Sequence, residues 1–361
     1  MPNGPWLRLS VLVAGMIGAA CGRSSPADDR PEAAARSGII DHHVHLLGPD
    51  IMRDWRAIGV TFSRADSVYT GLVALNNTGA DSIALAVLVP MGHLYATEDF
   101  AYAFKLDRAE EAKRVAREND HVAAQAARFP GRAVALCSAP ALREYAMAEF
   151  ARCRDSLGVA GIKLHLASSQ VDFRDTAHLA AISRIVAWAT ESDLPLLVHV
   201  DPQRRGLDSL DVKRFVREVI GPLPRATIVI AHLGGSGGYG GWTRTVFGVT
   251  RRWQDSVERA EQRPRALYYD LSAVVLEAES EGVPATTPEQ ITQLAADLRE
   301  AGMSRLVFGS DYPVFDAVRG VRVLREKVGL TDEEVAAIRH PSNGSVFTRG
   351  TARRSPSRPS P

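Results

Sequence analysis

Apolar runs in this 361-residue chain end repeatedly in a side chain that can bind a metal ion or carry a proton. The residues that stand inside or at the end of such runs are His43, His45, Lys163, His165, His199, His232 and Asp311. Imidazole and carboxylate groups are the usual protein ligands of zinc and related divalent ions. A single buried lysine or aspartate is costly without a partner, whereas a cluster around one cation satisfies every member. The pattern therefore predicts a divalent metal site.

The spacing of the first histidines suits a shared ion. Successive side chains of a β-strand point to opposite faces, so His43 and His45 are expected on the same side of their strand. His42 and Val44 are then expected on the other side. Taken alone, His43 and His45 fit a buried structural pair as well as a ligand pair, so the other strand ends carry the argument for a metal.

Short β-rich runs alternate with longer segments of helical period through the middle of the sequence. The predicted strands are 39–46, 82–89, 133–138, 160–166, 195–200, 227–231, 266–271 and 305–309. The predicted helices are 106–129, 141–157, 176–191, 211–220, 244–261 and 288–301, with Asp208 and the pair Thr287-Pro288 marking helix starts. Such alternation implies parallel strands, and eight units in about 310 residues predict an α/β fold of the (β/α)8 TIM-barrel class. The strand ends of a barrel meet on one face, which would bring the listed side chains together.

The strand-end motifs resemble those of the amidohydrolase superfamily, and more narrowly its amidohydrolase-2 branch of metal-dependent hydrolases. In chain order they are IIDHHVH at 39–45, GIKLH at 161–165, LPLLVHV at 194–200, IAHLGG at 230–235, YYDLS at 268–272 and FGSDYP at 308–313. They run across nearly the whole core, so the resemblance is specific to the family but not to a substrate. Family members often carry Asn-Ala near the last helix, where this chain has Asn343-Gly344.

The resemblance implies roles for the strand-end residues. The metal ligands would be His43, His45, His199 and Asp311, binding one or two divalent ions, with zinc expected and manganese as an alternative. Asp311 would also be the general base that takes a proton from metal-bound water, whose pKa the ion lowers towards neutrality. The structural alternative is that Asp311 caps the following helix. His232 would bind a second ion or polarise the reacting carbonyl, unless it is a packed core histidine.

Lys163 is the residue whose chemical state matters most. In two-metal members of the superfamily a lysine on the fourth strand is carbamylated and bridges the ions. Arginine cannot undergo that reaction, which gives a physical reason for a lysine in a chain where only five of the 43 basic residues are lysine. The alternative is that Lys163 stays cationic and binds a substrate carboxylate.

Three residues are expected to contact substrate, namely His165, Tyr239 and Trp242. The two aromatic residues lie in or beside the glycine-rich segment 234–242, which is either a loop for an anionic group or a flexible loop without a binding role. His165 is equally consistent with a packed histidine. Asp270 is expected to support the barrel or the ligands. The histidines expected to be structural or surface residues are His93, His121, His178 and His340.

Composition excludes several classes of partner. The chain has 43 basic and 42 acidic residues, so its net charge of +1 gives no reason to expect nucleic acid or an anionic membrane surface as a partner. With 45% hydrophobic and 24% charged residues it has the profile of a globular protein. No G-x-G-x-x-G follows the first strand, which argues against dinucleotide binding.

The ends of the sequence predict export. Residues 1–21 resemble a bacterial lipoprotein signal that ends at Cys21, with a secretory signal or an uncleaved anchor as alternatives. A flexible tether at 22–37, the barrel at 38–348 and a disordered tail at 349–361 would follow. The protein would then lie on the periplasmic face of a bacterial membrane through lipidated Cys21, or otherwise be periplasmic or secreted. Two further cysteines, at 137 and 153, are either free thiols or a disulfide.

Three functions remain open at this point. The leading prediction is a metal-dependent hydrolase of an ester, lactone or amide. The second is a metal-dependent decarboxylase, since some members of the branch share every motif and remove CO2 from aromatic or unsaturated acids. The third is a non-catalytic binding lipoprotein, for which lost ligands would be expected. The substrate and the oligomeric state are not indicated by the sequence.

Overall fold

Eight parallel β-strands alternate with helices in the computed structural model of the chain. The structure describes residues 38–59, 82–97, 100, 103–201, 206–280, 282–341 and 344–348. The strands are β1 (Ile39–His45), β2 (Ile83–Val89), β3 (Ala133–Ser138), β4 (Gly161–His165), β5 (Leu196–His199), β6 (Ile228–Ile230), β7 (Leu267–Asp270) and β8 (Leu306–Val307). All eight predicted strands are present, and their bounds differ from the predicted ones by no more than two residues.

The strands form one sheet in chain order, and each pairs in parallel with the next. The segment that begins with β8 returns to β1, because the backbone N–H of His42 donates to the carbonyl of Phe308 at 2.9 Å and Val44 forms a parallel bridge with Tyr312. The predicted (β/α)8 barrel is therefore confirmed.

Helices cover the outside of the barrel. They are α1 (Pro49–Ala57), α2 (Arg108–Ala127), α3 (Ala146–Arg152), α4 (Thr176–Glu191), α5 (Ser209–Phe215), α6 (Gly241–Glu261), α7 (Pro288–Ala301), α8 (Ala317–Glu326) and α9 (Asp332–Arg339). As predicted, Asp208 caps α5 and Thr287 caps α7, and both caps complete reciprocal capping boxes. The helix predicted at 141–157 is shorter, because α3 begins at Ala146 and widens into a π-helical turn over Cys153–Leu157.

The segments predicted to flank the barrel lie outside the described residues. These are the signal at 1–21 with Cys21, the tether at 22–37 and the tail at 349–361, so all three stay predictions. In the part of the chain that the structure does describe, no helix combines the length and apolarity that a bilayer span needs.

The barrel interior is filled by its own apolar cluster, separate from the layer between strands and helices. Its strand residues include Val87, Leu136, Leu197, Val229 and Val307, and Phe347 packs among them. Gly161, the first residue of β4, makes room for this ring, since a Cβ there would lie 2.7 Å from Phe347 Cδ1. This apolar cluster fills the barrel interior beneath the carboxyl ends of the strands, and those ends carry the polar side chains.

A disulfide joins Cys137 of β3 to Cys153, which directly follows α3. Of the two states left open by the sequence, the structure therefore has the paired one. Cys137, Cys153 and Glu149 lie close enough together to share an ion. The two sulfur atoms are bonded to each other, however, so this group is part of the packing and not a metal site.

Reduction of this disulfide is expected to destabilise the barrel. A cross-link across 16 residues removes unfolded-chain entropy worth about 3 kcal/mol of unfolding free energy. Denaturant unfolding with and without a thiol reductant should show that difference. The double variant Cys137→Ala/Cys153→Ala is the control, since its stability should not respond to the reductant. A wild-type protein whose stability is equally unresponsive would contradict the prediction.

Candidate metal centre

Strand β1 is irregular at the point where its histidines occur. Its register with β2 shifts between Asp41 and Val44, which is the signature of a bulge. Regular alternation predicts that His42 lies on the side of the strand opposite His43. Because of the bulge, the His42 ring instead lies in the barrel interior, with its centroid 6.3 Å from that of the Phe347 ring. Bulges of this kind are common beside active sites, where they redirect a side chain.

The side chains of His43 and His45 meet at the end of β1, with their Nε2 atoms 3.2 Å apart. The Nδ1 of His43 donates to Asp270 Oδ2 at 2.6 Å, and the Nδ1 of His45 lies 3.3 Å from the carbonyl of Val89. These acceptors favour a proton on each Nδ1, which leaves both Nε2 lone pairs facing each other. A cation between them relieves that repulsion, and two nitrogens about 2.0 Å from one tetrahedral ion are about 3.3 Å apart.

Asp311 brings a carboxylate to the same point from the segment after β8. Its Oδ1 lies 3.3 Å from His45 Nε2 and 3.8 Å from His43 Nε2. Its backbone is left-handed, with φ of 60°, and its N–H donates to the carbonyl of His43 at 2.9 Å. Burial alone would raise the pKa of Asp311, but His232 and the two β1 histidines lower that pKa well below its ordinary value. The helix-cap alternative is wrong, because Asp316 caps α8.

The donor group formed by His43, His45 and Asp311 suits a divalent ion. One ligand atom from each residue lies within 4.8 Å of the others. Burial lowers the pKa of His43 well below its ordinary value, and the positive charge of Lys163 lowers it further, so its imidazole is neutral. Two imidazoles and one carboxylate are a donor set that zinc accepts and that manganese also tolerates.

Asp270 supports this group from behind, as the sequence led us to expect. Besides accepting from His43, its carboxylate accepts the backbone N–H and the hydroxyl of Ser272, each at 2.7 Å. Asp270, His43 and His232 also lie close enough to share an ion. Because Asp270 already accepts the Nδ1 proton of His43, we assign it to orienting that ring.

His232 is held at the end of β6 in an unusual backbone conformation. Its φ and ψ are 51° and 35°, and Leu233 follows in the same left-handed region. Left-handed residues other than glycine cost about 1 kcal/mol or more and concentrate at functional sites. The Nδ1 of His232 donates to the carbonyl of Ser272 at 2.9 Å, and its ring centroid lies 4.9 Å from that of His43. Its Nε2 is therefore the nitrogen that can serve in chemistry.

Lys163 reaches the ligand pair from β4. The side chain is fully buried, and its Nζ lies 3.2 Å from His43 Nε2. Burial lowers the pKa of Lys163 to about 8, and the carboxylates of Asp311 and Asp270 limit the fall. The amine is thus mainly an ammonium at neutral pH, with a neutral fraction that can react.

Three more imidazole rings continue in a row from His232. The ring of His199 stands edge-on to it at 4.8 Å, His165 stacks on His199 at 3.9 Å, and His93 stacks on His165 at 4.8 Å. None of the three-donor groups found among the described residues includes His199, whose Nε2 lies 4.0 Å from Asp201 Oδ2. His199 accordingly remains a predicted ligand, and His165 a predicted substrate contact.

His93 lies beside the predicted site residues, with its ring stacked on that of His165, although this was not predicted from the sequence. Expected to be structural or at the surface, it lies fully buried in a 3-10 turn, Gly92–Ala96, just after β2. Burial lowers the pKa of His93 well below its ordinary value. The signal was present, since His93 follows β2 at a distance of four residues, as Asp311 follows β8.

The loop after β6 gives limited support for the predicted aromatic substrate contacts. The Tyr239 side chain is buried, and its hydroxyl donates at 2.6 Å to Asp297 of α7. That hydroxyl therefore ties the loop to a helix, which is a structural use. Trp242 lies partly exposed in the first turn of α6, where its contact with substrate stays a prediction.

Gly309 is needed for the support behind the ligands. A Cβ at this position would lie 2.3 Å from Asp270 Oδ1 and 2.9 Å from His43 Cβ. We expect Gly309→Ala to displace Asp270 and to weaken metal binding by at least about tenfold. Calorimetric titration of the metal-free protein with Zn²⁺ or Mn²⁺ measures this. Gly240→Ala is the control, because a Cβ there meets nothing within 4 Å. Equal affinities for the two variants would contradict the prediction.

The nearly closed parallel barrel carries a group of histidines and a carboxylate at its strand ends, so the protein is of the (β/α)8-barrel class with a metal-type site. A family model described as Amidohydrolase, that of the amidohydrolase-2 branch, matches residues 40–340. The chain therefore belongs to the amidohydrolase family, as its motifs predicted, and is an enzyme of the metal-dependent amidohydrolase superfamily. A search of curated proteins finds no match.

Solved structures share the fold at low sequence identity. A dihydroxybenzoic acid decarboxylase from Polaromonas, with bound manganese and the inhibitor 2-nitroresorcinol, is 14% identical over 84% of this chain and 94% of its own, with a TM-score of 0.52. A manganese-bound 5-carboxyvanillate decarboxylase from Novosphingobium aromaticivorans is 16% identical over 89% and 100%, with a TM-score of 0.53. A 4-oxalomesaconate hydratase from Rhodopseudomonas palustris is 17% identical over 88% and 94%, with a TM-score of 0.51.

Proposed function

We propose that this chain is a metal-dependent decarboxylase that releases CO2 from a small aromatic or unsaturated carboxylic acid. The observation that carries the proposal is the buried Lys163 ammonium, whose Nζ lies 3.2 Å from the proposed ligand atom of His43. A cation enclosed beside a compact group of metal-type ligands is a binding point for an anionic substrate. The decarboxylases among the structures that share the fold support the same reaction class.

The proposed metal ligands are His43, His45 and Asp311, with His199 as a proposed fourth. The ion is divalent, and we propose zinc or manganese, the latter because relatives of the same fold bind it. When bound, the ion would supply positive charge that holds the substrate oxygens and stabilises the negative charge that develops during the reaction.

The protein's own groups would share the remaining work. Lys163 would orient the substrate carboxylate, which leaves as CO2 when the bond between it and the neighbouring carbon breaks. The electron pair of that bond stays on the carbon, which then takes up a proton. We assign the delivery of this proton to His232, since its Nδ1 is occupied by the carbonyl of Ser272 and its Nε2 can carry the proton.

Hydrolysis of an ester, lactone or amide is the second candidate. The observation that favours it is Asp311, because the neighbouring histidines lower its pKa and keep it as a carboxylate, the state of a general base. In that reaction Lys163 would be the metal-bridging carbamate that the family resemblance allows.

The two functions differ in their products. The metal-loaded protein should release labelled CO2 from carboxyl-labelled 2,6-dihydroxybenzoate, 5-carboxyvanillate or related acids, and chelation should stop the release. The intact mass should show no added CO2 on the chain. Turnover of lactones or esters without CO2 release, together with a carbamate in the intact mass, would replace the decarboxylase by the hydrolase. Activity that survives complete metal removal would contradict both.

A further inference from the structure

We infer that His93 binds an oxygen substituent of the substrate, a hydroxyl or carboxylate oxygen separate from the carboxylate held near the metal ligands. The inference rests on the proposed function, because it takes a small carboxylic acid as the molecule that lies beside Lys163. His93 would be a second polar contact for this molecule, on the side of the barrel formed by β2 and β3.

The His93 ring is fixed through one of its two nitrogens. Its Nδ1 lies 2.8 Å from the hydroxyl oxygen of Ser138, the last residue of β3. Ser138 is itself held by Asn119 of α2, whose Oδ1 accepts the Ser138 N–H at 2.9 Å and whose Nδ2 donates to the Ser138 carbonyl at 3.0 Å. A ring anchored in this way presents its other nitrogen in a constant direction.

That other nitrogen, His93 Nε2, is enclosed and has no hydrogen-bond partner in the part of the chain that the structure describes. A buried polar atom without a partner is unfavourable, and such atoms in native proteins commonly await a ligand, an ion or a water molecule. The Ser138 hydroxyl can donate to Nδ1 or accept from it, so Nε2 can be either donor or acceptor. A hydroxyl oxygen of a substrate complements both states, and a carboxylate oxygen complements the donor state.

Stacked rings connect His93 to the groups that are proposed to hold the reacting carboxylate. Its ring stacks on that of His165, which in turn stacks on His199. The positive charge of Lys163 lowers the pKa of His93 beyond the effect of burial. The unpartnered nitrogen is thus part of the row of imidazoles that begins at the ligand pair.

The neighbouring ring adds a donor of known identity. The backbone N–H of Ser168 donates to His165 Nδ1 at 3.2 Å, so a neutral His165 carries its proton on Nε2. Two stacked rings, one a fixed donor and the other able to donate or accept, favour an oxygen substituent over an apolar one.

Two substitutions separate the nitrogens of His93. The amide of asparagine reaches the position of Nδ1, so His93→Asn keeps the contact with Ser138 and removes the proposed contact with substrate. The longer glutamine reaches the position of Nε2, so His93→Gln keeps the proposed contact. His178→Gln, on the outer helix α4, is the control.

The probes are 2-nitroresorcinol and 2-nitrophenol, which differ by one hydroxyl group. Calorimetry with the manganese-loaded full chain measures their dissociation constants, and the metal content of every variant is determined in parallel. We expect the wild type and His178→Gln to bind 2-nitroresorcinol about tenfold more tightly than 2-nitrophenol. His93→Gln should retain most of this preference, and His93→Asn should lose it.

Other outcomes overturn the inference. A wild type that binds both probes equally, or neither, has no contact for the second oxygen. A preference that survives in His93→Asn does not come from His93, and an equal loss of affinity for both probes in both variants indicates a structural role only. Because binding is read without turnover, failure here is distinct from failure of the proposed function, which is decided by CO2 release.

Discussion

Asp311→Asn is expected to lower the turnover of the metal-loaded protein by about a thousandfold while the barrel stays folded. The carboxylate lies 3.3 Å from His45 Nε2, and the adjacent histidines keep it ionised by lowering its pKa. The amide removes one negative charge from the ligand group that both proposed reactions need, and in hydrolysis it also cannot act as the general base. Both candidate reactions therefore lose rate, and the measurement is kcat with the metal at saturating concentration.

The matched control for this substitution lies in the same segment. Asp316→Asn changes the same side chain at the cap of α8, where the carboxylate accepts the N–H of Arg319. It should keep its activity, since asparagine is also a good helix cap. Near-wild-type turnover in Asp311→Asn would remove this residue from the proposed machinery.

Lys163→Met is expected to lower kcat/KM for a carboxylic acid substrate by at least about a hundredfold. Methionine fills a similar volume but has no charge, so the buried site loses the cation that orients the anion. Lys163→Arg keeps the charge and cannot be carbamylated, so it should retain part of the activity if the cation matters. Equal loss in both variants, with a carbamate in the wild-type mass, would contradict a cationic Lys163.

Lys163→Met is also expected to change how the free energy of unfolding depends on pH. The pKa of Lys163 is about 8 in the folded protein against 10.5 for an ordinary lysine, so the unfolded chain binds more protons between these values. The free energy of unfolding of metal-free wild type should therefore rise with pH over this window relative to Lys163→Met. Parallel denaturant titrations from about pH 7 to 10 compare the two slopes.

Much of the fold could be predicted because hydrophobic periodicity and helix-capping residues mark its elements. Helices α4 and α7 begin and end at the predicted residues, since an amphipathic pattern, a capping side chain and a following strand coincide there. The helix predicted at 141–157 was too long at its start, because residues 141–145 form turns although their apolar pattern continues. Turn geometry of that kind leaves little trace in hydrophobic spacing.

Site residues at strand ends could be predicted because the barrel collects strand ends on one face. What could not be predicted depends on contacts between residues distant in sequence. The bulge in β1 moves His42 towards Phe347. The hydroxyl of Tyr239 donates to Asp297 of α7, which lies 58 residues further along the chain. The burial of His93 likewise depends on β3 and on His165, neither of which adjoins it in the chain.

The central claim is that His43, His45 and Asp311 bind one divalent ion. Elemental analysis of the purified full chain after exposure to Zn²⁺ or Mn²⁺ and removal of excess metal tests it most directly. We expect one ion per chain in the wild type and none in the double variant His43→Ala/His45→Ala. Two ions per chain, or undiminished metal in the double variant, would contradict it.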